Sequence, residues 1–238
     1  MNMGNNKATR VYVIDTETTG LDRDEDEILQ LSIVDESGCT VYNSLFRPER
    51  HTSWEEAEKI NHITPEIVAN APTFKEMLPI INEIFSFCGT VIGYNTGFDL
   101  AFLQKAGVEF REDTKVIDVQ AMFMPIAGEW DWQQNKYKWQ SLVKCAEYCG
   151  YKWRGSAHDS LADALATLHC FNSLVVRNAT TVELPTPEEA AAHMRDLALD
   201  TDQEGRHCHM DGYLLSILEA MGYGEAVEIF DNSPKWYA

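Results

Sequence analysis

The run VYVID, Val11 to Asp15, is short, β-branched and apolar, with a polar, basic segment before it and TETTG after it. Such a run is a buried strand that ends in a turn, so the fold must supply a sheet to hold it. Two more apolar-rich runs follow, Ile28 to Val34 and Thr40 to Phe46. The turn-forming segment DESG between them suits an antiparallel hairpin. Three adjacent strands therefore open the domain.

Helical spacing takes over next. Trp54 to Ile60 reads as a short helix, Thr64-Pro65 starts another, and Phe74, Met77, Leu78, Ile81, Ile84 and Phe85 mark a third that Gly89 terminates. Val91 to Tyr94 is a fourth strand, Phe98 to Lys105 a helix stopped by Gly107, and Val116 to Val119 a fifth strand. Gly128 to Gln140 is a surface loop rich in aromatic residues. Ser141 caps a helix over Leu142 to Tyr148, and Asp159 to Val176 is a long helix with His158 at its entrance. This order fits a mixed α/β sandwich.

The 238 residues suffice for one substantial core with a small appendage. The expected division is a main domain over 9–178, a linker over 179–205 with two prolines and an acidic, turn-rich stretch, and a small helical appendage over 206–238 that includes an amphipathic segment from Met210 to Met221. No stretch approaches the ~20 apolar residues that span a bilayer, and MNMGNNKATR lacks the apolar core of a signal peptide. A cytoplasmic location with no membrane contact is expected. Six cysteines scattered through predicted elements read as reduced thiols.

The formal charge of -19 argues against gripping nucleic acid by bulk phosphate neutralisation, which needs clustered Lys and Arg. Bound divalent cations can still reverse the field locally around carboxylates. Asp15 and Glu17 lie two apart at a strand end, so both point to one side of the sheet. That pair alone fits a solvated strand end. Asp99 follows an apolar strand at the start of a helix, where an anion is favoured, and alone it fits a helix cap. His158 and Asp163 sit five apart at the start of the long helix. Together, four acids from three apolar-flanked elements and one histidine make the oxygen-rich set that hard cations such as Mg²⁺ prefer.

In three segments, VIDTETTGL (Val13 to Leu21), GYNTGFDLAFL (Gly93 to Leu103) and AHDSLADALAT (Ala157 to Thr167), the sequence resembles the DEDDh 3′→5′ exonucleases. That family includes the proofreading subunit of the bacterial replicative polymerase, ribonuclease T and oligoribonuclease. The motifs stand in the family's order and spacing, INHITPEIV lies between the first two, and the resemblance spans about Arg10 to Arg177. Tyr94 departs from the His that many members carry before the Asn. The resemblance implies an RNase H-like mixed sheet flanked by helices, with a small C-terminal helical extension.

It also implies two Mg²⁺ ions, with Mn²⁺ able to substitute, on Asp15, Glu17, Asp99 and Asp163. One ion would lie between Asp15, Glu17 and Asp163, the second mainly on Asp15 with Asp99 acting through water. His158 would be the general base, taking a water's proton near neutral pH, and the product a nucleoside 5′-monophosphate. Thr18 would meet the terminal sugar, Leu21 would wedge against the last bases, and His62, Asn95 and Phe98 are further substrate contacts. The implied partners are nucleic acid 3′ ends, preferably single-stranded and with DNA favoured, together with a polymerase or a second copy of the chain.

Two other readings stay open. One is a non-catalytic binding module for nucleic-acid ends or protein partners; the other is an enzyme that trims RNA ends or degrades short oligoribonucleotides. Trp130, Trp132, Tyr137 and Trp139 could stack on bases or close a local cluster. His207-Cys208-His209 and the pair Cys145 and Cys149 invite zinc, but their spacing fits core packing better.

Overall fold

The computed structural model describes residues 9–153, 158–180, 185–199, 203–220, 223–231 and 233. Strand β1 (Arg10–Thr18) is central in a five-stranded sheet ordered β3-β2-β1-β4-β5. β2 (Ile28–Asp35) pairs with β1 antiparallel and with β3 (Thr40–Leu45) as the expected hairpin. Helices α1 (Glu55–Asn61), α2 (Pro65–Val68) and α3 (Phe74–Phe85) lead to β4 (Cys88–Gly93), which runs parallel to β1. After α4 (Thr96–Lys105), β5 (Lys115–Asp118) closes the sheet, parallel to β4.

The pleat of β1 divides the core. Tyr12 and Ile14 pack with Ile81, Phe85, Phe102 and Leu103 of α3 and α4. Val13, on the other face, packs with residues of three later helices: α5 (Val119–Ala127), α6 (Leu142–Cys149) and α7 (Ser160–Thr180). Asp15 and Glu17 continue the face of Val13, so the alternation that buries the strand also turns both carboxylates toward α7. α5 was not legible in the sequence. Its run VQAMFMPIA is almost continuously apolar and contains Pro125, which hides helical periodicity. The Asp118 side chain caps it by accepting from the Gln120 N–H, and Gly128 ends it at φ 69°.

The aromatic stretch between α5 and α6 contains a two-stranded ribbon, β6 (Trp130–Asp131) with β7 (Lys136–Tyr137). Trp130 meets Tyr137 edge to face at 4.9 Å and Trp132 at 6.4 Å. These rings therefore form a small cluster of their own, although Trp132 and Trp139 remain exposed.

Cα proximity divides the chain into two compact units, Met1–Leu174 and Val175–Ala238. Within the second, the stretch read as a linker carries α8 (Pro187–Leu197), followed by α9 (Gln203–Ala220) and α10 (Gly224–Asp231). The start of α8 is a capping box between Thr186 and Glu189, a signature that the two prolines and acidic residues around it obscured. Among the described residues no helix is long and apolar enough to cross a membrane.

Candidate active site

In a sheet with parallel strands, binding sites form beyond the carboxyl ends of those strands. β1 and β4 are neighbours and parallel, so the end of β1, with Asp15 and Glu17, lies beside the turn from β4 into α4 that delivers Asp99. That turn is made by Asn95, whose φ of 62° lies in the left-handed region. The Asn95 N–H donates to Asp118 Oδ1 at 2.9 Å, and Thr96 Oγ1 donates to the Ile117 carbonyl at 2.8 Å, which ties the turn to β5. Asp99 is then locked to β1: its Oδ1 accepts from the Thr16 N–H at 2.9 Å and from Thr16 Oγ1 at 2.7 Å.

The third element arrives from across the sheet. Ser160, at the start of α7, shares a 2.7 Å hydrogen bond with Ser32 of β2, and its N–H donates to Gln30 Oε1 at 3.3 Å. Asn43 Oδ1 accepts from both Gln30 Nε2 and Ser32 Oγ at 3.2 Å. This polar relay through β2 and β3 fixes the first turn of α7 and with it Asp163. The His158 N–H donates to Asp163 Oδ2 at 3.2 Å, and His158 has φ 65°, so the residue bends back over the acid. A ring nitrogen of His158 and carboxylate oxygens of Glu17 and Asp163 all lie within 4.8 Å of one another. Ala157, the first residue of the third motif, and the three residues before that motif lie outside the described residues.

Four acids this close repel. Burial, and then the charges of Asp99, Asp163 and Glu17, hold Asp15 well above the ordinary carboxylate range. Glu17 is pushed up to about 8 by burial and by Asp163 and Asp99. Asp99 rises to about 7 through burial, against the two hydrogen bonds from Thr16, and Asp163 to about 6, again through burial. Asp163 Oδ1 is buried with no hydrogen-bond partner among the described residues. A buried acceptor left this way is costly. The donor set, all oxygen with one exposed histidine at its edge, fits a hard divalent cation, and Asp15, Glu17, Asp99 and Asp163 are the residues that would hold it.

Beside the acids is a pocket of about 360 Å³ whose lining includes Glu17, Thr18, Leu21, Ile60, Asn61 and Phe98. Leu21 is 86% exposed at its rim. Thr18 is buried, with its hydroxyl donating to the Gly20 carbonyl at 2.5 Å. Phe98 is partly exposed and packs on Phe102 at 4.8 Å, so it serves both core and pocket wall. Of the five expected substrate contacts, Thr18, Leu21 and Phe98 line this pocket. His62 and Asn95 do not: His62 is an exposed C-cap of α1 at φ 59°, and Asn95 is the turn residue described above. The preceding residue, Asn61, is the one the sequence reading passed over. It is buried, and its Nδ2 donates to the Thr18 carbonyl at 3.2 Å.

Away from this site, Cys145 and Cys149 of α6 meet Cys170 of α7, with the three sulfurs within 4.8 Å of one another. All three are reduced and packed in the apolar core of that face. Among the described residues no fourth ligand joins them within that distance, short of the set that a structural zinc takes. The Cys208 and His209 side chains lie outside the described residues.

A family model described as exonuclease, RNase_T, matches residues 12–171. An uncharacterized exonuclease of Escherichia phage 186 is 31% identical over 169 residues, covering 68% of this chain and 86% of that protein. The DNA polymerase III subunit epsilon of Treponema pallidum is 27% identical over 204 residues, or 80% of this chain and 91% of that one. Among solved structures, an exonuclease I from Methylocaldum szegediense matches with a TM-score of 0.55 at 24% identity, over 79% of this chain. The chain spans 46% of that structure, which speaks for the fold.

Proposed function

Because the chain belongs to the RNase_T exonuclease family through residues 12–171, we propose that it removes nucleoside 5′-monophosphates from the 3′ ends of nucleic acid, with single-stranded DNA favoured. The observation that carries this reading is the convergence of Asp15, Glu17, Asp99 and Asp163 at one strand end with His158 beside them. Two Mg²⁺ ions, or Mn²⁺ in their place, would supply there an activated water and stabilisation of the leaving oxygen.

The chain's own residues do the rest. His158 takes a proton from the attacking water, and its exposure lets it pass that proton to solvent. Attack at phosphorus breaks the bond to the 3′ oxygen, so the terminal nucleotide leaves as a 5′-monophosphate and the shortened strand keeps a 3′ hydroxyl. Thr18 and Asn61 border the terminal sugar, and Leu21 and Phe98 close on the last base, because these four share the pocket beside Glu17. Thr16 holds Asp99 in place through its hydroxyl and its N–H. The resemblance to a polymerase III epsilon subunit supports a polymerase as partner and the cytoplasm as location.

Strand polarity and label position test this directly. With 5′-labelled single-stranded DNA and Mg²⁺, a descending ladder one nucleotide apart is expected; with 3′-labelled DNA, the first labelled product is the mononucleotide. EDTA abolishes both, and RNA of the same sequence is cut more slowly. Internal products or a ladder that starts from the 5′ end would refute the proposal.

A further inference from the structure

The chain carries 19 Lys and Arg against 38 Asp and Glu, yet the cations are not spread evenly. Arg23, Arg47, Arg50, Lys75 and Lys105, all exposed, line a single groove of about 440 Å³. Only Asp26, Glu27 and Glu49 represent the acids there. Two of those acids are already engaged. Glu27 accepts from the N–H groups of Glu49, Arg50 and His51 at 2.8, 2.9 and 3.0 Å and meets the His51 ring at 2.8 Å. Asp26 accepts from Thr19 Oγ1 and from the Asp22 N–H, both at 2.9 Å. Lys105 pairs with Asp24, whereas Arg23, Arg47 and Lys75 make no salt bridge among the described residues. The groove also offers an apolar surface from Phe74 and Leu78.

This groove is linked to the active-site pocket through shared walls. Arg23 and Phe102 line both it and the adjoining cleft at Leu21 and Phe98, and those two residues in turn line the pocket at Glu17 and Thr18. On a chain of charge -19, such a concentration of cations is a local exception to the overall charge. A cationic rim over an apolar surface is the pairing that single-stranded nucleic acid takes, with phosphates on the cations and bases on the apolar surface.

We propose that the groove from Arg23 to Arg47 and Lys75 carries the backbone of the strand being degraded, several nucleotides 5′ of the bond that is cut. This rests on the exonuclease reading above. In consequence, the chain grips long single strands through these cations and short ones through the terminal pocket alone.

The test compares the full chain with an Arg47→Gln, Lys75→Gln double variant, on a dinucleotide and on a long oligothymidylate. For the long strand KM should rise about tenfold or more while kcat holds, and the slope of log KM against log salt should become shallower by about 1.4, or roughly 0.7 for each cation removed. Dinucleotide hydrolysis should not change. Equal KM values on the long strand, or an equal loss on both substrates, would overturn the groove assignment. If the wild type hydrolyses neither substrate, the exonuclease reading fails separately. Fluorescence anisotropy of oligothymidylate binding in EDTA then decides the groove: weaker binding by the double variant upholds it, and equal binding rejects it.

Discussion

At the scale of single residues, burial and mutual repulsion hold the carboxylates protonated to unusually high pH, a cost that a bound cation would relieve. In the unfolded chain they lose their protons near pH 4, whereas in the metal-free fold Asp163, Asp99 and Glu17 keep theirs up to about 6, 7 and 8. Between those limits the folded state binds more protons than the unfolded state, so metal-free stability falls as pH rises. Thermal melts in EDTA from about pH 5 to about pH 8 should show Tm decreasing, with a shallower slope in Asp163→Asn. Mg²⁺ should raise Tm most at the alkaline end. A metal-free Tm that climbs through this window would contradict the electrostatic picture. Asp15, Glu17 and Asp99 were legible in the sequence because they follow apolar strands, His158 and Asp163 because they stand at the start of a long helix, and the resemblance of the three motifs to one family joined them into a set. Asn61, Ser32 and Gln30 were not. Their roles depend on which strand lies beside which and on a helix entering from more than a hundred residues away.

At the scale of elements, the site depends on how three chain segments are terminated and joined. The turn into α4 uses Asn95 at positive φ, a conformation that glycine adopts freely, asparagine tolerates and β-branched residues resist. Asn95→Gly should therefore keep kcat near the wild-type value. Asn95→Val should lower it at least tenfold and destabilise the fold by about 1–2 kcal/mol, because Asp99 lies in the first turn of that helix. Steady-state kinetics and melting of the two variants check this; equal loss in both would show that the Asn95 side chain itself contacts substrate. The main strands and helices could be read in advance because their apolar patterns are clean. α5 and α8 could not, since one is apolar all round and the other has an acidic, proline-led start that reads as a turn.

At the scale of the whole molecule, every residue assigned to chemistry or to the strand path belongs to the first compact unit, which ends at Leu174 within α7. Leu174 is itself buried in the core of that unit, so a chain shortened to end at Thr180 keeps the packing of α7. Such a chain should fold and retain metal-dependent hydrolysis of single strands within about threefold, near the roughly 0.5 kcal/mol that separates ordinary surface changes from specific losses. Loss of activity with retained folding would assign the later helices a part in catalysis. The likeness to family members was readable over the same span, because its motifs lie between Val13 and Thr167. The concentration of cations beside the active site was not, since Arg23, Arg47, Lys75 and Lys105 are scattered in sequence and meet only when the sheet and its loops assemble.

The measurement that bears most directly on the central claim is the single-turnover rate of 3′-nucleotide release from a single-stranded oligonucleotide, taken across Mg²⁺ concentration for wild type, Asp163→Asn and His158→Ala. The expected result is saturation by Mg²⁺ in the wild type, a weaker apparent Mg²⁺ affinity with a large rate loss in Asp163→Asn, and unchanged Mg²⁺ affinity with a rate loss of about 10²–10⁴-fold in His158→Ala. Wild-type rates from either variant, or a wild-type rate indifferent to Mg²⁺ and EDTA, would contradict it.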